Sequence, residues 1–364
     1  MLSKFRIPGP TPLPPAVIEA MQKPMIPHRG AEMKALYTSI LDRAKAIHRT
    51  DGDLLIWPGS GSAGWEIAVV NFLNPGDTVI SMLAGEFSER FYRMGKTFGL
   101  NMVRIEAPWG SPNRPEDLRA ALEAHPDARG VFLTHNETST GVCHPIEALA
   151  MVAREFDALV FVDAVSSMGG IPLEMDRWGI DYVMSGSQKA WMCPPGLTIV
   201  AVGERCRAAY QRSRYPRFFW DYEAMRKAAG EGSGPTTPPL SLLYAFDAAL
   251  NMMLDEGIEQ VWARHASLGA QMRAGVERLG LALFADPAWA SNTVTAIRMP
   301  AGVSSAAVIK TLATDHGIDV ASWQGKGEEQ VIRVGHMGWC DAEDLEIVLD
   351  ALAEVIPALA TGNP

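Results

Sequence analysis

The chain has 364 residues, 48% of them hydrophobic and 20% charged, with a formal net charge of −10. That length holds a sizeable core and predicts two domains, and the composition is that of a soluble globular protein. The acidic balance argues against a nucleic-acid partner, whose binding rests on basic surface, and reads as solubility rather than as a clue to substrate.

The first fifteen residues, MLSKFRIPGPTPLPP, are too rich in Pro and Gly for a helix and read as an extended arm without an apolar run of signal-peptide length. Pro14-Pro15 opens a helical pattern to Met21, and residues 32–48 continue at helical spacing. Strands and helices then alternate. DLLIW (53–57) reads as a strand and AGWEIAVVNFL (63–73) as a helix stopped by Asn74-Pro75-Gly76. TVISML (78–83) is a strand, and FSERFYRMGKTFG a helix ended by Gly99. NMVRIEA is a strand, PEDLRAALEAH a helix, GVFLTH a strand, PIEALAMVAREF a helix, ALVFVDA a strand. YVMSGS and LTIVAVG are two further strands, with Lys189 between them. This alternation predicts an α/β fold, a mostly parallel sheet covered by helices on both faces. Residues 212–239 read as irregular, and a long helix over 240–279 breaks near Gly257. The remainder, from TVTAIRM to AEDLEIVLDALAEVI, reads as a smaller α/β unit. The expected division is an arm at 1–15, a large domain at 16–252 and a small domain at 253–364.

Cys143, Cys193, Cys206 and Cys340 lie far apart with no CxxC pair, which points to a reducing compartment. No segment approaches the ~20 apolar residues of a membrane span, and the terminal TGNP carries no retention or peroxisomal tag, so a cytoplasmic protein is expected.

In open parallel sheets, ligands bind beyond the carboxyl ends of the strands. Five segments fall there: PGSGSAG (58–64), GEFS (85–88), HNETSTG (135–141), DAVSS (163–167) and SQK (187–189). PGSGSAG contains G-x-G-x-x-G, which permits a dinucleotide reading, but Asp77 and Glu86 are both poorly placed for a ribose. Small residues and free N–H groups at a helix start suit a phosphate in either case, and a plain tight turn is the bland alternative. Asp163 ends an apolar strand and needs a partner; a protonated pyridine nitrogen, as in pyridoxal phosphate, is one, and a helix cap or structural hydrogen bond is another. Lys189 stands in SGSQKAWMCPPG, apolar after the lysine and free of carboxylates. A neutral amine there is suited to Schiff-base chemistry with a carbonyl. The H-x-E of HNETSTG is not followed by PCxxC, as a zinc deaminase would require, and the histidines show no metal-ligand spacing. SGSAG nearly matches a nucleophile elbow but starts with Ser.

PGPTPLP, PGSGSAGWE, HNETSTG, VDAVSSMGG, MDRWGIDYVMSGSQKAWMCPPG, SNTVTAIRMP and IRVGHMG together resemble the class V aminotransferases of pyridoxal phosphate fold type I. The likeness runs from about Phe5 to the final helix and points to the serine–glyoxylate and alanine–glyoxylate branch. It implies that Lys189 forms the Schiff base, that Asp163 partners the pyridine nitrogen, and that Ser60, Gly61, Ser62 and Gln188 hold the phosphate. It implies that Thr138 bonds the ring's phenolic oxygen, that Phe87 and Val165 sandwich the ring, and that Arg333 grips the substrate carboxylate, for which a bidentate fork suits. Thr237 matches a residue that reaches the phosphate of a neighbouring subunit, so a homodimer with shared sites is implied.

Two departures stand out. Relatives carry a tyrosine just before the TP of the Thr237 segment, where this chain has GSGPTTPP, and Trp323 in ASWQGKG stands where relatives have a small residue. Trp323 reads either as a tolerated surface ring or as one that narrows or reshapes the substrate entrance near Arg333. The activity implied is transfer of an amino group from serine or alanine to glyoxylate with ping-pong kinetics. The same fold also serves lyases, transaminases of aminophosphonates or ureidoglycine, and idle cofactor-binding proteins. A cysteine desulfurase is disfavoured, because neither Cys193 nor Cys340 stands where a mobile-loop thiolate would be.

Overall fold

The computed structural model describes residues 4–325 and 330–361. The first three residues of the expected arm, Lys326 and Gly327 of ASWQGKG, and the terminal Gly-Asn-Pro lie outside them.

A seven-stranded sheet carries the larger part of the chain. From one edge to the other it runs Asp53–Gly59, Gly196–Val202, Tyr182–Gly186, Leu159–Asp163, Gly130–Thr134, Thr78–Leu83 and Asn101–Glu106. Gly196–Val202 is antiparallel to both its neighbours, and the other pairings are parallel. The four central strands are buried along their whole length, because helices cover both faces. Alternate residues therefore feed two cores. Leu54, Ile56, Val160 and Val162 pack on one side, and Leu55, Trp57, Leu159 and Phe161 on the other. Asn101–Glu106 is partly exposed, with Arg104 in an ion-paired network with Glu89 and Glu106, a charged edge that discourages further pairing.

The helix Leu240–Glu256 meets Ile258–Arg278 at Gly257, whose φ of +87° no side-chain-bearing residue adopts readily. Beyond it lies a four-stranded antiparallel sheet ordered Ala282–Leu283, Val294–Arg298, Val331–Gly335 and Ala321–Ser322. Ser305–Asp315 and Ala342–Ala360 pack on it around Val308, Leu312, Ile332, Val334, Leu345 and Leu349. A reciprocal capping box between Asp341 and Asp344 starts the last helix.

One expectation needs correction. Residues 212–239 are not irregular throughout: Tyr222–Gly230 is a helix, N-capped by the Asp221 carboxylate. The arm's described residues start in an extended strand: Lys4–Phe5 pair in parallel with Ile318–Asp319, and the Arg6 carbonyl accepts from Gly335 N at 2.7 Å. Arg6 also pairs with Asp344 at the start of the last helix. No helix among the described residues is long and apolar enough to cross a membrane.

Candidate active site

The strand ends converge as their order in the sheet demands. Leu159–Asp163 and Tyr182–Gly186 are adjacent and parallel, so the loops that follow them, bearing Val165 and Lys189, emerge side by side. The turn before the helix Gly61–Phe72 lies against both: a Cβ on Gly61 would come within 2.8 Å of Val165 Cγ2. A Cβ on Gly186 would approach Gln188 Oε1 to 2.8 Å and Gly61 Cα to 3.4 Å. Ser60 is the N-cap but makes no side-chain cap, so the first N–H groups of that helix are left to an anion. The buried Oε1 of Gln188 has no hydrogen-bond partner among the described residues.

Asp163 is 4% exposed. Its Oδ1 accepts from Val165 N at 2.9 Å and its Oδ2 from Trp65 Nε1 at 3.1 Å. Those two bonds do not offset its desolvation: burial pushes the carboxyl up to about 7. A cation beside it would restore the charge.

Lys189 is 8% exposed, and burial, aided by the Arg333 charge, lowers its ammonium to about 8. Its Nζ donates to the Pro8 carbonyl of the arm. Thr11 donates its hydroxyl to the Lys189 carbonyl at 3.0 Å and its N–H to the Gln188 carbonyl at 3.1 Å. Gly9, at φ +99°, passes so close that a Cβ there would lie 2.5 Å from Lys189 Cδ and 2.7 Å from Nζ.

Arg333 lies in Val331–Gly335, 3% exposed, and its guanidinium is held by two carbonyls. Nε donates to Ser322 O at 2.9 Å and Nη1 to Thr138 O at 3.2 Å. Burial lowers its pKa to about 10, so it stays charged at neutral pH. Thr138 donates its hydroxyl to Ser166 Oγ at 2.7 Å.

Lys189, Thr138, Phe87 and Arg333 line one cavity of about 390 Å³, whose walls also include Ile7, Pro8 and Gly9 of the arm and Val320, Ser322 and Gln324. A larger cavity, about 640 Å³, opens at the opposite ends of the strands near Asp77, Asp127, Arg129 and Arg205, and no candidate site residue lines it. Thr237 is exposed and takes no part in the 390 Å³ cavity. Trp323 does not line it either. Its ring turns instead toward Trp109 and Phe284, which corrects the reading that it narrows the entrance.

Sequence reasoning passed over three groups. The arm from Ile7 to Thr11 touches the lysine directly, which no local pattern announces. Trp65 holds Asp163 from the second turn of its helix, and only its place in PGSGSAGWE hinted at a role. Glu137, fully buried, takes the N–H groups of Phe87 and Ser88 and the hydroxyls of Ser88 and Ser139. An acid inside HNETSTG was the available signal.

A buried amine and a buried guanidinium thus line one cavity, a buried carboxyl without its cation interacts with that amine, and an uncapped helix N-terminus packs on the loop that follows the carboxyl; Ser60, Gly61, Ser62, Asp163, Val165 and Gln188 do not themselves line the cavity. The set suits a carbonyl-bearing aromatic phosphate together with a carboxylate substrate.

Comparison with known proteins agrees. The family model "Aminotransferase class-V" matches residues 5–338. The chain is 37% identical to "Soluble hydrogenase, small subunit" of Synechococcus sp., over 98% of this chain and 94% of that one. It is 36% identical to the serine–glyoxylate aminotransferase of Methylorubrum extorquens, over 94% and 87%. The crystal structure of an alanine–glyoxylate aminotransferase from Nostoc sp. superposes with a TM-score of 0.94 at 32% identity, covering 98% and 95%.

Proposed function

Since this chain belongs to the class V aminotransferase family, a pyridoxal phosphate-dependent transaminase, we propose that it moves an amino group from L-serine or L-alanine to glyoxylate or another small 2-oxo acid. The observation that carries this reading is the buried amine of Lys189 facing the same cavity as the Arg333 guanidinium. The residues fit the cofactor on three counts: the uncapped helix start at Ser60, the missing Cβ of Gly61 against Val165, and an Asp163 carboxyl that lacks a cation.

Ser60, Gly61, Ser62 and Gln188 would hold its phosphate, Asp163 its ring nitrogen, Thr138 its phenolic oxygen, and Phe87 and Val165 its two faces. Bound there, pyridoxal phosphate supplies an aldehyde that condenses with amines and a ring that accepts the electron pair left at the substrate Cα. Lys189 would be the residue that anchors the aldehyde, and its amine would carry the substrate Cα proton to the former aldehyde carbon, acting as base and then as acid. Its lowered pKa keeps a useful fraction neutral near pH 8. Arg333 binds the substrate carboxylate through the N–H groups that Ser322 and Thr138 leave free. The arm residues Pro8 and Gly9 cover Lys189 and keep bulk water from it. Donor and acceptor use the site in turn, so the kinetics are ping-pong.

We also assign a homodimer with shared sites. Supporting it are the exposure of Thr237, which does not line the cavity of its own chain that holds Lys189, and of Phe218, 93% exposed two residues from the half-buried Trp220. We assign residues 16–252 to the cofactor unit and 253–364 to the unit bearing Arg333.

The test is an absorbance titration of the purified protein. The visible band of the bound cofactor should bleach with L-serine or L-alanine and return with glyoxylate, and Lys189→Ala should lose both the band and turnover. A band indifferent to either donor would favour a lyase or another amine, and a band that never forms would refute the role of Lys189.

A further inference from the structure

We propose that Trp323 is a positioning residue for the substrate carboxylate: clamped between Trp109 and Phe284, it holds the Ser322 carbonyl on the Arg333 guanidinium. The proposal rests on the reading of Arg333 as the carboxylate ligand.

Arg333 cannot be oriented by its neighbours in the sheet. The residues opposite it are Ala296 on one strand and Ala321 on the other, both too small to pack against a guanidinium along its length. Its direction comes from the two carbonyls, Ser322 O on Nε and Thr138 O on Nη1. Two of the five N–H groups are thereby committed, and three remain for a ligand.

Thr138 belongs to a buried hairpin and is 4% exposed, so its carbonyl is fixed. Ser322 is not fixed by its strand. Ala321–Ser322 is two residues long and forms the edge of the four-stranded sheet, and Ser322 is exposed. Two ladder residues hold an edge weakly. The next residue supplies what the strand lacks. The Trp323 ring lies 5.5 Å from Trp109 and 4.8 Å from Phe284 between centroids, both at tilted angles that favour aromatic pairs. Phe284 is buried with Ala296 and Val331, and Arg298 lies over its ring at 4.0 Å. The chain then folds back across the rings: a Cβ on Gly325 would fall 2.1 Å from Trp109 and 2.9 Å from Trp323.

The clamp and the guanidinium cross the same seam. Trp109 follows a strand of the seven-stranded sheet and Thr138 lies in the hairpin that follows another, Gly130–Thr134, whereas Phe284, Trp323 and Ser322 belong with the four-stranded one. The Gly110 carbonyl accepts from Asp286 N at 2.7 Å alongside. Holding Ser322 to Trp109 therefore keeps the two carbonyls that aim Arg333 in register. Ser322 and Gln324 face the cavity while Trp323 faces away, so the ring acts on the ligand only through the backbone.

The experiment uses the cofactor-loaded protein and two probes read by the shift in visible absorbance. 2-Methylalanine has a carboxylate but no Cα hydrogen, so it binds without transamination. Isopropylamine is an amine without a carboxylate. Trp323→Ala should raise the dissociation constant of 2-methylalanine about ten-fold, the loss of one misaligned charge-assisted hydrogen bond. Isopropylamine should bind unchanged, and Trp323→Phe should recover most of the loss. In turnover, KM for both substrates should rise while kcat holds within about two-fold. Unchanged binding of 2-methylalanine, or equal weakening of both probes, would overturn the clamp, as would a change in relative kcat/KM with donor size. Arg333→Gln separates the premise from the proposal. If it leaves the preference for 2-methylalanine intact, the role of Arg333 fails. If it removes that preference and Trp323→Ala does not, the clamp alone fails. Should Trp323→Ala not fold, Phe284→Leu and Trp109→Phe test the same clamp from its other rings, with the same expected and overturning results.

Discussion

One methyl group at Gly9 would reach the chemistry. Its Cβ would fall within 2.8 Å of Cδ, Cε and Nζ of Lys189, and the φ of +99° strains any side chain there. The atoms it meets are the far end of a flexible side chain, so the amine yields before the backbone does. Gly9→Ala is expected to keep its fold and lose about a hundred-fold in kcat, the scale of an ångström's misplacement at a reacting group. Thermal melting and steady-state kinetics on one preparation check this; a normal kcat would mean that Lys189 does not need the space. Lys189 itself was legible as a chemical oddity, an amine in an apolar run, and Asp163 as a carboxyl at a buried strand end. The carbonyls, indoles and glycine that surround them were not, because they come from segments remote in sequence, as Pro8 is from Lys189.

Helix starts show the same division at the next scale. Glu86–Thr97 begins at Gly85, and its first N–H groups are met by Glu137, an acid from a different loop. The Glu137 oxygens also take the hydroxyls of Ser88 and Ser139, so a buried carboxylate serves several donors at the positive end of a helix. Glu137→Gln keeps the shape and removes the charge, and should cost about 2 kcal/mol of stability, the worth of a hydrogen bond to a charged group. Urea unfolding of the cofactor-free protein measures it, and a shift under about 0.5 kcal/mol would deny the carboxylate that role. The helix itself and its stop near Gly99 were readable from periodicity, and so was the break at Gly257. The helix Tyr222–Gly230 was not, because Pro and Gly on either side of it mask nine residues of pattern. Nor was the reversed direction of Gly196–Val202. An apolar run buried on both faces reads alike in either direction, and only its partners Tyr182–Gly186 and Asp53–Gly59 set its sense.

Over the whole molecule, burial of neutral imidazoles sets the response to acid. His48, His135 and His265 are lowered to about 4 and His144 and His336 to about 3, in each case chiefly by burial. His265 is fixed as the neutral form by its partners: Nδ1 meets the Val261 carbonyl and Nε2 accepts from Gly338 N. Between about pH 4 and 6.5 the unfolded chain binds protons at these sites that the folded one does not, so stability falls as pH drops. Asp163 works the other way. Its carboxyl is raised to about 7, so from about pH 4 to 7 the folded state holds a proton that the unfolded one has lost. Burial raises Asp181 in the same sense, and the five histidines outweigh the two aspartates. The melting temperature of the cofactor-free protein should fall from pH 7 to pH 5, and more steeply in Asp163→Asn. A flat profile would mean that the imidazoles are not held neutral.

What the amino-acid sequence determined alone was most of the succession of elements, the α/β class and the family, and it singled out the strand-end loops in which we propose the chemistry. These rest on local spacing, on periods of two and of three to four residues, and on short motifs that survive without knowledge of what lies opposite. The tertiary structure decided the rest: that the arm lies on Lys189, that Glu137 starts a helix in another segment, that Arg333 is aimed by carbonyls from two sheets, and that Trp323 turns from the cavity to a clamp. Each is a contact between residues far apart in the chain. Such contacts follow from how whole faces pack and register, and a side chain's direction is settled only when its neighbours across that packing are in place.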